Sequence, residues 1–120
     1  AAYIFTNDGG TWSQTAKLLS DDIAADDSFG YSVSISSDGT TAVIGAYGED
    51  SGGSGAGAAY IFTNDGGTWS QTAKLMASDA EADDFFGNSV SISSDGTTAV
   101  IGAYREASGG LDAGAAYIFN

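Results

Sequence analysis

The side chains of this 120-residue chain that could do chemistry are carboxylates, hydroxyls and aromatic rings, because it contains no His and no Cys. That removes serine-type triads, thiol nucleophiles and zinc sites of the usual nitrogen and sulfur kind. The carboxylates are grouped. Asp21, Asp22, Asp26 and Asp27 form one cluster, and Asp79, Glu81, Asp83 and Asp84 form another. Calcium takes roughly six to eight oxygens, two or more of them from carboxylates, so a loop that folds back on itself could chelate it. The positions common to both clusters make Asp22, Asp26, Asp27, Asp79, Asp83 and Asp84 the candidate metal ligands. The competing expectation is a solvated acidic loop in which Asp27 or Asp84 hydrogen-bonds the turn before a Phe-Gly pair.

Glu49, Asp50, Glu106 and Asp112 lie in Gly-rich stretches. Two carboxylates across a cleft could hydrolyse a glycoside. Asp50, however, is Ala107 at the corresponding later position, and no partner acid is fixed on a neighbouring strand, so loop solubility is the better expectation. Trp12, Trp69, Tyr47 and Tyr104, with Tyr31, could stack against sugars; otherwise the Trp rings cover hairpins and the Tyr rings fill space between sheets. Lys17 and Lys74 read as exposed charges that blunt a sheet edge. Only three cations face 16 acids, a net charge of −13, which excludes nucleic-acid backbones and anionic membrane surfaces as partners. No stretch approaches the roughly 20 apolar residues of a membrane span, and at 42% hydrophobic residues the chain is too apolar for a disordered tail.

These residues recur on a fixed period. Ala1-Ala2-Tyr3-Ile4-Phe5 returns as Ala58 to Phe62 and again as Ala115 to Phe119, each step being 57 residues. Between 1–57 and 58–114 only 11 positions differ, clustered at 19–31 and 48–55 and their counterparts. Inside a unit the hydrophobic period is two. Ser32-Val33-Ser34-Ile35-Ser36 alternates as a strand with one buried face, and Asp38-Gly39 is a hairpin turn. Thr41 to Tyr47 is nearly continuously apolar, as suits a strand covered on both faces. A Gly-rich loop leads to a third strand at 58–62, Asn64-Asp65-Gly66-Gly67 turns again, and Thr68 to Leu75 is a fourth strand. An acidic connector then restarts the cycle at Phe86-Gly87. Four short antiparallel strands per unit describe a propeller blade.

Phe29-Gly30 with Ser32-Val33, then Gly45-Ala46-Tyr47, then Ala59-Tyr60-Ile61-Phe62 resemble the FG-GAP repeat, the blade of the integrin α-subunit head and of many bacterial surface proteins. Phe86-Gly87 and Gly102-Ala103-Tyr104 repeat the pattern. The strand written SVSIS-DG-TAVIGAY and the GGTW hairpin are closest to the bacterial variety. Tyr47 and Tyr104 stand where the name-giving Pro would be. Many blades of the family hold calcium between their first two strands; here that connection, Ser36 to Thr40, offers only Asp38, so this site does not carry over.

The expected fold is therefore all-β. It consists of propeller blades of four antiparallel strands: repeat 1 at 1–57, repeat 2 at 58–114, and a surplus strand opening a third repeat at 115–120. Two blades do not close a propeller. The chain is expected to be a window of a longer array, a ring subunit or a filament subunit, with itself or neighbouring repeats as partner. The resemblance implies a non-catalytic extracellular or cell-surface structural and adhesion module with a protein or glycan ligand. The alternative is a lectin-like module using aromatics and acids between blades. The only cofactor considered is calcium.

Overall fold

The computed structural model describes all of residues 1–120. It is all-β, with nine strands: β1 (Ala2–Asp8), β2 (Thr11–Leu18), β3 (Ser32–Ile35), β4 (Thr41–Ala46), β5 (Ala58–Asp65), β6 (Thr68–Leu75), β7 (Ser89–Ile92), β8 (Ala99–Ala103) and β9 (Ala115–Phe119). They form three antiparallel meanders ordered β1-β2, β3-β4-β5-β6 and β7-β8-β9. The middle sheet is one complete blade. The first sheet carries the third and fourth strands of a blade, and the last sheet carries the first three. The 57-residue repeats are thus cut mid-blade, and the architecture is that of propeller blades belonging to a larger assembly.

Local chemistry fixes each turn. Gly39 adopts φ +74° in the β3–β4 turn. There Asp38 accepts hydrogen bonds from the Ser36 hydroxyl at 2.7 Å and from the Thr40 amide at 3.1 Å and hydroxyl at 2.8 Å. Those bonds hold its carboxyl below the usual carboxylate range. Asp95 repeats the arrangement with Ser93 and Thr97. The single acid of this connection is therefore a turn organiser. At the outer hairpins Asn7 and Asn64 each accept the amide of the second turn glycine at 2.8 Å. One feature escapes the periodicity: the register shifts between Ile4 and Phe5 and between Ile61 and Phe62, a bulge that accommodates one extra residue on the outer strand.

Two apolar layers stack the sheets. Ala42, Ile44 and Ala46 of β4 meet Ala2 and Leu18 of the first sheet together with Phe29, Tyr60 and Phe62. Val43, from the other face of β4, meets Phe86, Ala99, Ile101 and Ala103. All of β4 is buried, as a doubly covered strand should be. The Phe-Gly pairs lock the layers. Phe86 sits edge-on to Tyr117 and Phe119, and Phe29 to Tyr60 and Phe62. Gly87, at φ +93°, lies so close to the preceding blade that an added Cβ would sit 2.2 Å from the Ala58 carbonyl oxygen. Inner strands are further tied by serine: the Ser32 hydroxyl donates to the Gly87 carbonyl at 2.7 Å, and the Ile92 amide donates to the Ser34 hydroxyl at 3.2 Å.

Candidate functional site

Antiparallel pairing sorts the connections onto two ends. Tight turns 36–40, 93–97 and the Asn-Asp-Gly-Gly hairpins lie at one end. The acidic connectors 19–31 and 76–88 and the Gly-rich loops 47–57 and 104–114 lie at the other. Function-bearing loops on a rigid scaffold cluster in this way.

At the loop end Lys74 is the centre of a polar node joining two blades. Its ammonium donates to Asp22 at 2.5 Å, to Glu49 at 3.0 Å and to the Ser51 hydroxyl at 3.0 Å. Asp22 comes from the connector out of the preceding sheet, and Lys74 from the outer strand β6. The Tyr60 hydroxyl also donates to Asp22, at 2.8 Å, and Lys74 lies 5.6 Å from the Tyr60 ring centroid. Burial alone would raise the Asp22 carboxyl, but bonds from Lys74 and Tyr60 outweigh it and hold it below its ordinary value. Burial opposes the charge on Lys74 as well, yet Asp22 and Glu49 push its pKa up. Burial, and then the bond to Asp22, push the Tyr60 phenol up. Glu49 is 5% exposed and also accepts from the Ser51 amide at 3.1 Å and from its hydroxyl.

This corrects two expectations. Lys74 is not an isolated edge charge, and Glu49 is not there for loop solubility; each completes the other across folded loops. Glu106 repeats the role of Glu49, buried and accepting from the Ser108 amide at 3.0 Å and from its hydroxyl. Asp50 caps the Gly55 amide at 2.9 Å, and Asp112 pairs with Arg105 at 3.0 Å.

The six aspartates considered for a metal are dispersed among other tasks. Asp79 accepts from the Tyr117 hydroxyl at 2.8 Å, as Asp22 does from Tyr60. Asp27 accepts from the Ala24 amide at 3.0 Å, and Asp84 from the Glu81 amide at 2.9 Å, closing the turn before each Phe-Gly pair. Asp26 and Asp83 occupy left-handed backbone positions, φ +67° and +66°, on exposed turns. No group of three or more carboxylates converges in a way that could hold a metal ion. The donors present do not fit the oxygen cage that calcium takes. At Asp27 burial raises the carboxyl above its ordinary value, and the Glu49, Asp50 and Asp22 charges add to it against the opposing bond from the Ala24 amide.

The aromatic candidates divide between the two ends. Trp12 pairs with Asn7 and Trp69 with Asn64 at the hairpin end, about 20 Å along the strands from the loop end. Trp69 packs against the first apolar layer, while Trp12 is exposed. Tyr47 and Tyr104 do come together, within a row that crosses two blades. Tyr31 and Tyr47 have centroids 4.7 Å apart, Tyr47 and Phe85 5.5 Å, and Phe85 and Tyr104 5.7 Å in a stacked pair. The Arg105 guanidinium lies 5.5 Å from the Phe85 centroid. Phe85 was not among the candidates. It holds φ +57°, a conformation that bulky side chains rarely adopt. The signal was available in the repeat comparison, where Ser28, Gly48 and Gly55 become Phe85, Arg105 and Asp112 together.

A family model described as FG-GAP repeat matches the chain twice in tandem, over residues 12–62 and 69–119. No curated protein matches the sequence.

Proposed function

Because this chain belongs to the FG-GAP repeat family, we propose that it is a non-catalytic structural and adhesion module, acting outside the cell or on its surface. It would hold variable loops on an invariant sheet scaffold. One observation carries this reading. All 11 positions at which the repeats differ lie in the loop-end segments, and none lies in a strand. A scaffold under packing constraint keeps its strands, while the surface that meets partners is free to change. An integrin-like repeat module works in this manner, by presentation rather than by bond making.

The test uses protein immobilised on beads and a panel of matrix proteins and glycans. Attachment is expected to fall at least about tenfold with Tyr104→Ala and Arg105→Ala combined, and to be unaffected by Trp12→Ala at the far end. Equal loss from both ends, or no attachment to any member, would count against the adhesion role.

A second proposal is lectin-like binding of a carbohydrate, supported by the Tyr31, Tyr47, Phe85 and Tyr104 row. Binding of one sugar on a glycan array, lost on Tyr31→Ala and Tyr104→Ala, would favour it over a purely structural role. Trp12 and Trp69 stand too far from the row to share its ligand.

A further inference from the structure

The dipeptide Asp-Gly occurs at Asp8-Gly9, Asp38-Gly39, Asp65-Gly66 and Asp95-Gly96. All four aspartates are exposed. An aspartate before glycine carries its own reagent for a backbone rearrangement. The main-chain nitrogen of the glycine can attack the side-chain Cγ, because no Cβ on the glycine hinders the approach. The reacting form is the protonated carboxyl. The N–Cγ bond forms, the Cγ–O bond breaks, and the carboxyl hydroxyl leaves as water with the amide proton. Water then opens the five-membered imide at one of its two carbonyl carbons. Addition at Cγ regenerates aspartate. Addition at the main-chain carbonyl carbon breaks its bond to nitrogen and leaves isoaspartate, in which the chain runs through Cβ and Cγ. Nothing is oxidised or reduced, and the mass is unchanged once the ring has opened.

The two kinds of turn present this pair of groups differently. In the β3–β4 turn both are occupied. The Gly39 amide donates to the Ser36 carbonyl at 3.0 Å. The Asp38 carboxylate is held by the Ser36 hydroxyl and by the Thr40 amide and hydroxyl. Those bonds favour the ionised form, which has no hydroxyl to lose. Asp95-Gly96 repeats the arrangement, with the Gly96 amide on the Ser93 carbonyl at 3.0 Å and the carboxylate held by Ser93 and Thr97. In the β5–β6 hairpin, which belongs to the complete middle blade, both groups are free. The Asn64 side chain takes the Gly67 amide at 2.8 Å, and the Gly66 amide has no acceptor. The Asp65 carboxylate accepts no hydrogen bond and pairs with no cation. Asp8-Gly9 matches it bond for bond in the β1–β2 hairpin, where Asn7 takes the Gly10 amide.

We propose that Asp65 and Asp8 are sites of spontaneous isoaspartate formation, while the same dipeptide at Asp38 and Asp95 is protected by its turn. The consequence is local to the outer hairpins. Isoaspartate adds a carbon to the main chain between Asn64 and Gly66. The Asp65–Thr68 and Asn64–Trp69 strand pairs and the Asn64 bond to Gly67 can then no longer be satisfied together. The start of β6 loosens, and with it Trp69, which packs against the first apolar layer. The inner strands keep their register, because their turns are the protected ones. This modification is independent of what the loop end binds.

The experiment uses the full chain, held folded at neutral pH and physiological temperature for several weeks beside a sample kept in concentrated urea. Trypsin, cutting after Lys17, Lys74 and Arg105, puts Asp8 in one peptide, Asp38 and Asp65 together in the next, and Asp95 in another. Electron-transfer fragmentation locates isoaspartate within each, so Asp38 and Asp65 are compared inside a single peptide. In the folded protein isoaspartate is expected to accumulate at Asp65 and Asp8 at least about tenfold faster than at Asp38 and Asp95, and in urea the rates should draw to within about threefold. Thr40→Val, at an exposed position, removes one bond to Asp38 and should raise its rate severalfold. Asp95 in the same molecule should be unchanged, which controls for folding. Similar rates at Asp38 and Asp65 in the folded chain would overturn the inference. So would isoaspartate at Asp65 that forms in urea but not in the folded protein, because the hairpin itself would then be protective. Rates that stay as far apart in urea would overturn it as well, since sequence rather than the turn would then decide.

Discussion

Lys74 and Asp27 show how one acidic neighbourhood treats two charges oppositely. Lys74 joins Asp22 and the buried Glu49 across two loops, and its removal leaves the Glu49 charge without a cation. Lys74→Met is expected to lower unfolding free energy by about 1–3 kcal/mol in urea titrations near neutral pH. The pH window follows from the directions of shift. Asp22 is depressed when folded, so its contribution is present above the ordinary carboxylate range and lost as pH falls through its folded value. Lys74 is raised when folded, so its contribution is present below the ordinary lysine pKa and lost only as pH rises through the folded value. Asp27 has the opposite sign to Asp22. Its folded pKa is raised, so the ionised group opposes folding near neutral pH and acidification relieves it. Asp27→Asn keeps an oxygen for the Ala24 amide and should be neutral or stabilising at pH 7, whereas Asp22→Asn should destabilise. A loss of stability on Asp27→Asn at pH 7 would show that the carboxylate has a partner of its own. Little of this was legible beforehand. Residue type and spacing located the acids, but which acid meets which cation depends on the paths of two loops whose acids, Glu49 and Asp22, lie 25 and 52 residues from Lys74 in sequence, and no local period encodes it.

The elements were the most legible scale, because alternation and turn chemistry are local. Strands at 32–36, 41–47, 58–62 and 68–75 all form, and the Asp38-Gly39 and Asn64 to Gly67 turns sit where their residues place them. The outer-strand bulge was not visible, since TWSQTAKL alternates plausibly either side of the extra residue. Glycines illustrate why a sequence pattern underdetermines importance. Gly87 and Gly66 both hold positive φ, +93° and +61°, but only Gly87 abuts another blade. An added Cβ at Gly66 meets nothing within 4 Å, so Gly66→Ala should cost only the left-handed backbone penalty, about 1 kcal/mol. Gly87→Ala adds a clash with the Ala58 backbone that no rotamer can relieve, and should cost several times as much or prevent the last sheet from docking. Denaturant unfolding of the two variants side by side checks this. Equal costs would mean that the sheets part without resistance.

At the scale of the molecule, the repeat period and the family motifs foretold an all-β stack of blades, while the net charge of −13 was the less tractable quantity. It could have signified a cation site or merely a polyanionic surface, and these differ in what added salt does. With the six candidate aspartates committed to Lys74, to tyrosine hydroxyls, to backbone amides or to exposed turns, the excess charge acts chiefly through self-repulsion. Screening that repulsion should raise the melting temperature in sodium chloride, because the Debye length shrinks from about 30 Å at 0.01 M to about 10 Å at 0.1 M. Calcium and magnesium chloride at equal concentration should then raise it equally, as two divalent counterions of a diffuse field. A chelator added to protein in sodium chloride should leave the midpoint where it was. A bound calcium behaves otherwise, since stabilisation by a specific ligand grows with the logarithm of its concentration over its dissociation constant, and magnesium demands a tighter octahedral cage. A calcium increment well above the magnesium one would therefore mean that the connectors refold around the ion, drawing Asp22 away from Lys74.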